Sequence, residues 1–150
     1  MVSRKLVKTV AFPARSKPHM LRVSPDGKEV WVQTAEANTN VVLDAATLAV
    51  LATQPCGKQP VTNAWTRDGR YSVVTNGQDI FAQIFDARTY KEVKRLAVGP
   101  GAANIGFSKD GRTAFIAVRG THEVAVIDLA KLALESRIRA GTEPQGLIVR

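Results

Sequence analysis

The sequence is poor in cysteine and histidine, the residues that most often bind zinc or act as reactive nucleophiles and bases. There is one cysteine, Cys56, which excludes an intrachain disulfide framework. The two histidines form no His-x-x-x-His pattern and no Cys-x-x-Cys is present, so no metal-ligand cluster is visible. A Gly-x-Ser-x-Gly motif, a recognisable triad order and a glycine-rich phosphate loop are also absent. The sequence therefore favours a non-catalytic protein, and it predicts no cofactor.

Long apolar runs are absent as well, so no membrane span is expected. The first ten residues carry basic side chains but no long apolar segment, and we expect no signal peptide from them. The formal net charge of +8 would suit acidic partners or nucleic acid. Because the basic residues are scattered without a dense run, the charge is more typical of an ordinary solvated surface.

What the sequence does contain is a tight turn that occurs three times. Residues 24–27 read Ser-Pro-Asp-Gly, and the related segments 66–69 and 108–111 follow at intervals of 42 residues. A hydroxyl residue opens such a turn, aspartate bonds its own backbone, and glycine supplies the positive φ at the exit. Apolar runs flank each copy, so the pattern predicts a β-hairpin. The three aspartates are thus interpreted as turn residues rather than as a metal or acid site.

The same 42-residue interval relates many other positions. Asp44, Asp86 and Asp128 form one such column, and Cys56 shares another with the small apolar residues Val98 and Ala140, which predicts a buried core thiol. Each unit divides into four short strand-like runs rich in Val, Ile, Phe, Trp and Thr. The expected runs are 19–24, 28–34, 40–44 and 48–54, then 61–66, 70–76, 81–86 and 90–96, then 103–108, 112–118, 123–128 and 132–138.

A period of about 40 residues with four strands is typical of a β-propeller blade. The sequence therefore predicts an all-β fold with three complete blades, in repeats at about 17–57, 58–99 and 100–141. The partial units 1–16 and 142–150 should each add one flanking strand, over residues 5–12 and 144–150, to a single partial propeller domain spanning 1–150.

Three blades are too few for closure, because propellers have four to eight. We therefore expect an open arc. It would be a fragment of a larger protein of six to eight blades, or copies of the chain would assemble to complete the ring. The first reading is favoured because an unpaired strand edge at the end of the chain is a hazard that folded proteins avoid.

Several of these motifs resemble the YVTN-type β-propeller repeat family. They are residues 24–27, Trp31-Val32, Val42-Leu43-Asp44, the nearly complete signature Val73-Val74-Thr75-Asn76, and Val126-Ile127-Asp128. The resemblance covers residues 17–149. It implies a periplasmic or extracellular location. Similar repeats occur in the haem-carrying propeller of nitrite reductases and in quinoprotein-type dehydrogenases, and this would imply that His19 is an axial ligand or an acid–base group.

Propeller topology sorts the loops onto two faces. We label the strands of a blade a to d from the inside outwards. The a–b and c–d turns share a repetitive face, interpreted as structural, while the d–a connections and b–c loops share a variable face that could carry a ligand. Strand a should line the central channel. The candidate binding residues at the variable rim and the channel are Lys17, His19, Arg22, Lys58, Asn63, Asn76, Asn104, Arg119 and His122.

Three functions are compatible with this arrangement. The first is a non-catalytic module that binds a protein partner or a small ligand at the variable rim. The second is part of a redox propeller that bears a haem or a quinone-like cofactor, with His19 near the channel mouth. The third is nucleic-acid binding through Arg15, Lys17, Lys58 and Arg119, although this rim lacks the exposed aromatic residues that stack on bases.

Overall fold

A computed structural model describes residues 5, 6 and 8–149 of the chain. These residues form twelve β-strands and one short 3-10 helix, Arg119–Thr121. The strands are β1 (Pro18–Val23), β2 (Glu29–Thr34), β3 (Thr39–Asp44), β4 (Val50–Pro55), β5 (Pro60–Trp65), β6 (Tyr71–Asn76), β7 (Phe81–Asp86), β8 (Glu92–Ala97), β9 (Ala102–Phe107), β10 (Thr113–Val118), β11 (Glu123–Asp128) and β12 (Ala133–Arg139).

The strands form three four-stranded sheets of identical topology. Each sheet contains four consecutive strands, in the orders β1-β2-β3-β4, β5-β6-β7-β8 and β9-β10-β11-β12, and every pairing is antiparallel. Neighbouring sheets approach each other most closely along their first strands. The sheets therefore fan out from β1, β5 and β9, as the blades of a propeller do, and we number them blades 1 to 3. The four-strand prediction is confirmed.

Hydrogen bonds of the predicted kind hold the a–b turn of each blade. In blade 1 the Ser24 hydroxyl donates to Asp26 Oδ1 at 2.7 Å, and the same oxygen accepts the Lys28 amide at 3.1 Å. Gly27 follows with φ +75°. Thr66 with Asp68 and Ser108 with Asp110 form the same contacts in blades 2 and 3. The aspartates are thus used locally by their own turns.

The c–d turns repeat equally closely. Asp44 Oδ1 accepts the amide of Thr47 at 2.7 Å and its hydroxyl at 2.8 Å, and Asp86 does the same for Thr89. In blade 3 a lysine replaces the threonine, and Lys131 Nζ lies 3.0 Å from Asp128 Oδ2. An ion pair thus takes the place of the hydroxyl bond, and the turn is kept.

The core consists of the side chains that fill the spaces between blades. Trp31, Val42, Val74 and Phe85 form one buried cluster at the junction of blades 1 and 2. A larger aliphatic cluster, which includes Ile84 and Ile116, joins blades 2 and 3. Because a blade has two faces and stacks on two neighbours, both faces of its middle strands are largely buried.

The two flanking strands expected at the ends are not formed among the described residues. Residues 5, 6 and 8–12 are not paired into a sheet, and neither are residues 144–149. A strand needs a partner that pairs with its backbone groups, and neither segment has one here. Both segments still lie against a blade. Phe12 packs on the cluster of Val32, Val41 and Leu43, and Gln145 accepts a hydrogen bond from Asn104 at 2.9 Å.

Candidate functional site

The d–a connections share a bend that shapes the variable face. Lys17, Gln59, Gly101 and Glu143 occupy one column of the repeat, and all four have positive φ, between 48° and 76°. This left-handed backbone conformation is uncommon for residues other than glycine. Its recurrence in every unit shows that the bend is set by the repeat. In blades 1 to 3 it places the residues that follow the bend at the start of an inner strand, next to the channel.

One groove on this face lies at the mouth of the channel, and we call it the inner groove. His19, Met20, Gln59, Val61, Ala103, Asn104, Arg119 and Gln145 line about 280 Å³ of space. Three of the predicted site residues, His19, Asn104 and Arg119, therefore meet here. His19 Nδ1 lies 3.1 Å from the carbonyl oxygen of Val61, and Arg119 Nε donates to the Gly101 carbonyl at 3.4 Å. Contacts to the backbone of β5 and of a d–a connection thus hold His19 and Arg119, respectively, at the groove.

A second groove adjoins the first towards the rim, and we call it the rim groove. Lys17, Ala35, Glu36, Asn38, Lys58, Gln59 and Gln78 line about 390 Å³. Gln59 belongs to both grooves, and its amide donates to Asn38 Oδ1 at 2.9 Å. The Lys58 amide donates to Asp79 Oδ2, also at 2.9 Å, which holds the loop in place while the lysine residue stays exposed. The structure thus brings Lys17 and Lys58 together.

Two other predicted residues are exposed but lie outside both linings. His122 has φ 58° and follows the short helix, and its Nδ1 accepts the Glu143 amide at 3.1 Å. It therefore connects a b–c loop to a d–a connection on the variable face. Arg22 lies on β1, opposite Trp31 of β2, and is exposed. Its side chain makes no hydrogen bond or ion pair with the residues that the structure describes.

The prediction that Asn63 faces the channel is wrong. Its side chain is fully buried between blades, where Oδ1 accepts Gln33 Nε2 at 3.0 Å and Nδ2 donates to Ser72 at 3.0 Å. Alternate side chains of a strand point to opposite faces, and position 63 points towards the neighbouring blade. The equivalent residues Leu21 and Ile105 are apolar, a signal that could have identified an interface column.

Asn76 is likewise not available at the rim, where it was expected. It is fully buried, and its Nδ2 donates to the Phe81 carbonyl at 3.1 Å and to Gln83 Oε1 at 3.2 Å. Gln83 Oε1 also accepts the Gly57 amide at 2.9 Å. This network connects the strands of blade 2 to a d–a connection. Asn76 therefore stabilises the variable face from the interior of the blade and is not exposed to solvent there.

The structure also shows a feature that sequence reasoning missed. A cleft of about 560 Å³ lies between the a–b turns of blades 1 and 2, on the face that was interpreted as purely structural. Trp65 and Glu29 are part of its lining. Both residues differ from the equivalent residues of the other blades. These are Val23 and Phe107 for Trp65, and Tyr71 and Thr113 for Glu29. That departure is the sequence signal that could have located the cleft.

The electrostatics of the chain indicate stable structure rather than reactive groups. The Thr89 amide and hydroxyl, which bond its carboxylate, lower the pKa of Asp86, and burial followed by the charge of Glu92 raises the pKa of Cys56 to about 12. Such a thiol stays protonated at neutral pH and is inert. Within the described part of the chain, no three His, Cys, Asp or Glu residues are placed to hold a metal ion. No helix there is long and apolar enough to span a bilayer.

His19 could offer one axial nitrogen to a haem at the inner groove. The groove that these three blades form, about 280 Å³, is by itself smaller than a porphyrin. We therefore derive no chemistry through such a group.

Comparisons with known proteins identify the fold. No family model and no curated protein matches the chain. Among solved structures, hydrazine synthase of Kuenenia stuttgartiensis superposes with a TM-score of 0.82 at 24% identity, covering 95% of this chain and 41% of the other. The RRP9 WD40 repeats give 0.79 at 12% identity, with 88% and 41% covered. A 6-phosphogluconolactonase-like protein of Bacteroides fragilis gives 0.75 at 19%, with 87% and 41% covered.

The chain has the fold of a β-propeller, in an open arc of three blades. WD40 repeats are propeller blades, and the superpositions cover 87% to 95% of the chain. The chain spans about two fifths of the length of each of these structures. At such low identities the likeness concerns the fold alone, because propellers carry many unrelated activities.

Proposed function

We propose that the chain is a non-catalytic propeller module whose variable face binds an anionic ligand, through a carboxylate or phosphate group of a small molecule or a protein partner. The observation that carries this proposal is the adjoining pair of grooves that share Gln59. Lys17 and Lys58 border the rim groove, and His19 and Arg119 border the inner groove. Arginine and lysine are the side chains that recognise carboxylates and phosphates.

The balance of charge around the grooves supports an anion. Glu36 is the one acidic residue in either lining, against Lys17, Lys58 and Arg119. The carboxylate of Asp79, which accepts the Lys58 amide, is nearby, and together with Glu36 it still leaves the three basic side chains in excess. Concave surfaces lined by one sign of charge concentrate ligands of the opposite sign.

We also propose that the chain is a member of the YVTN-type family and that its location is periplasmic or extracellular. In the larger assembly that we propose, the arc joins further blades of a longer chain, or further copies of itself, to make six to eight blades. The apolar side chains that β1 exposes support it, because Leu21 is 60% and Val23 53% exposed on an inner strand that a preceding blade would cover.

Isothermal titration calorimetry with inorganic phosphate and with citrate tests the proposal. Lys58→Gln and Arg119→Gln should each weaken binding roughly fivefold, since one partly exposed charge contact is worth about 1 kcal/mol. Lys109→Gln is the matched control, because it removes an exposed charge from an a–b turn on the opposite face. It should leave the affinity within twofold.

Equal weakening in all three variants would show that only net charge matters, and the site assignment would then be wrong. Single-stranded oligonucleotide serves as a further probe. Binding of the oligonucleotide much more tightly than phosphate, with a steep loss as salt rises, would instead support the nucleic-acid alternative.

A further inference from the structure

The cleft between the a–b turns of blades 1 and 2 has the composition of a binding site. We name it the Trp65 cleft and define it by Asp26, Glu29, Trp65, Arg67, Asp68 and Arg88, which border about 560 Å³ of open space. It lies on the face opposite the inner and rim grooves, so its ligand would be independent of the anion proposed above.

The carboxylate of Glu29 is fixed at the edge of this cleft. Trp31, which is fully buried, donates its indole N–H to Glu29 Oε2 at 2.8 Å, and the Tyr90 hydroxyl donates to Oε1. Burial, and then this bond to Glu29, raises the pKa of Tyr90 to about 12, so the phenol remains a neutral donor. A carboxylate oxygen can accept about two hydrogen bonds, and each oxygen of Glu29 accepts one from Trp31 or Tyr90. Glu29 can therefore accept further hydrogen bonds from a ligand in the cleft.

Trp65 forms an aromatic wall beside this carboxylate. Its ring meets Trp31 edge to face, with centroids 5.5 Å apart and planes inclined at 72°, and Trp31 meets Tyr90 in the same manner at 6.2 Å. Three packed rings hold the orientation of Trp65 while part of its surface stays exposed to the cleft. A rigid aromatic face next to a fixed carboxylate is suited to a cation.

The fold does not require this arrangement. The residues 42 positions after Glu29, Trp31, Trp65 and Tyr90 are Tyr71, Val73, Phe107 and Leu132, respectively. The junction of blades 2 and 3 is therefore built at the same positions without a carboxylate or an indole. The polar and aromatic set between blades 1 and 2 is an addition to the repeat, and structural need alone does not account for it.

The remaining charges leave room for a cationic ligand. The turn hydrogen bonds of Asp26 and Asp68 end on Oδ1, and the exposed Lys28 ammonium lies 3.9 Å from Asp26 Oδ2. Arg67 borders the cleft, but its guanidinium donates to the Lys109 carbonyl of blade 3 and is turned away. The lining thus holds three carboxylates against the two guanidinium groups of Arg67 and Arg88, with Lys28 beside Asp26 outside the lining, in a chain whose net charge is +8.

We propose that the Trp65 cleft binds an arginine side chain of a partner peptide, with its guanidinium plane stacked on Trp65 and paired with the carboxylates of Glu29, Asp26 and Asp68. Arginine suits the cleft better than lysine, because its planar, weakly hydrated guanidinium both stacks on aromatic rings and donates to carboxylates.

Titration of the ¹⁵N-labelled chain with acetyl-Gly-Arg-Gly-amide tests this proposal. The chain has two tryptophans, so the indole N–H signal that disappears in Trp65→Phe is that of Trp65. That signal should shift saturably with the arginine peptide. The matched peptide with citrulline has the same shape without the charge, and it should bind at least about fivefold more weakly, the loss expected for one cation–π contact.

Variants then separate the cleft from general electrostatics. Glu29→Gln and Trp65→Phe should each weaken the arginine peptide about fivefold, and the backbone amide signals of Asp26 and Asp68 report binding in Trp65→Phe, which lacks the indole signal. Phenylalanine suits this position because Phe107 occupies the equivalent position of blade 3. Asp110→Asn removes the same charge from a turn outside the cleft and should have no effect. Thermal unfolding checks that each variant is folded. Equal binding of the two peptides, equal weakening by Asp110→Asn, or no saturable shift of Trp65 would overturn the assignment, whatever the phosphate titration shows.

Discussion

Gln33 of blade 1 donates its side-chain Nε2 to the Oδ1 of Asn63 in blade 2 over 3.0 Å, and both side chains are fully buried. The same Nε2 donates to Asn40 at 2.8 Å, and Asn63 in turn donates to Ser72. A polar network thus crosses the junction of blades 1 and 2, where the next junction is mainly aliphatic. Buried amides of this kind specify how two sheets pack, because any other arrangement leaves them unpaired.

We expect Asn63→Ile to destabilise the chain although isoleucine is the residue of blade 3 at this position, Ile105. The change removes an acceptor from Gln33 and a donor from Ser72, and unsatisfied buried groups cost roughly 1–3 kcal/mol each. The free energy of unfolding in urea should fall by about 2 kcal/mol. Asn104→Ile, on the adjacent inner-groove column, is the control and should change it by less than about 0.5 kcal/mol. A neutral Asn63→Ile would show that the network does not hold the blades.

Gly27→Ala tests the turn. The residue has φ +75°, and an added methyl group would meet no atom within 4 Å, so the cost is one of backbone conformation alone. A left-handed alanine costs about 1 kcal/mol. Gly141→Ala is the comparison, because that glycine also has free space but no positive φ in this range. It should be neutral in the same urea experiment. Equal stabilities would contradict the turn geometry.

The turn aspartates predict a particular acid sensitivity. Hydrogen bonds, first of all from Thr89 and Thr47, lower the pKa of Asp86 and Asp44 below the ordinary 3.8. The unfolded chain therefore binds protons before the folded chain does, and the stabilisation that these groups give above pH 3.8 is lost as pH falls through their lowered values.

In Asp86→Asn the melting temperature should accordingly be lower than that of the wild type at pH 6 but should decline less between pH 4 and pH 2. Thermal unfolding followed by circular dichroism at a series of pH values measures this. Parallel pH profiles for wild type and variant would mean that Asp86 has an ordinary pKa.

Cys56 should resist alkylation in the folded chain. Its pKa is raised from 9.0 to about 12, chiefly by burial, so the thiolate fraction at pH 8 falls by roughly a thousandfold. Iodoacetamide labelling followed by mass spectrometry should be at least about a hundredfold slower in buffer than in guanidinium chloride. Rapid labelling of the native chain would show that the junction around Cys56 opens readily.

The blades could be predicted from the sequence because the repeat supplies many independent columns. The observed β7 (Phe81–Asp86) and β11 (Glu123–Asp128) coincide with the expected runs, and the other strands differ by one or two residues at their ends. The flanking strands expected at 5–12 and 144–150 are not formed among the described residues. Sequence similarity to a strand of the repeat does not provide the neighbouring strand with which the segment must pair.

The candidate site could be predicted from the sequence less completely than the fold. Lys17, Lys58 and Arg119 could be placed on the variable face because loop position follows from topology, and His19 and Asn104 because they lie near the start of an inner strand. The direction of a side chain within a strand does not follow from topology alone. Asn63 and Asn76 were therefore expected at a surface and lie inside. The Trp65 cleft depends on side chains of two blades, and repeat columns show such contacts only as departures from the pattern.

The most direct test of the proposed function maps phosphate binding on the whole chain. Amide signals of the ¹⁵N-labelled protein, recorded during a titration with inorganic phosphate, report which residues meet the anion. Saturable shifts should centre on Gln59, Asn104 and Arg119, where the two grooves adjoin, while Gly27, Gly69 and Gly111 on the opposite face stay unchanged. Shifts centred on those three glycines, or small shifts spread evenly over both faces, would contradict the proposal.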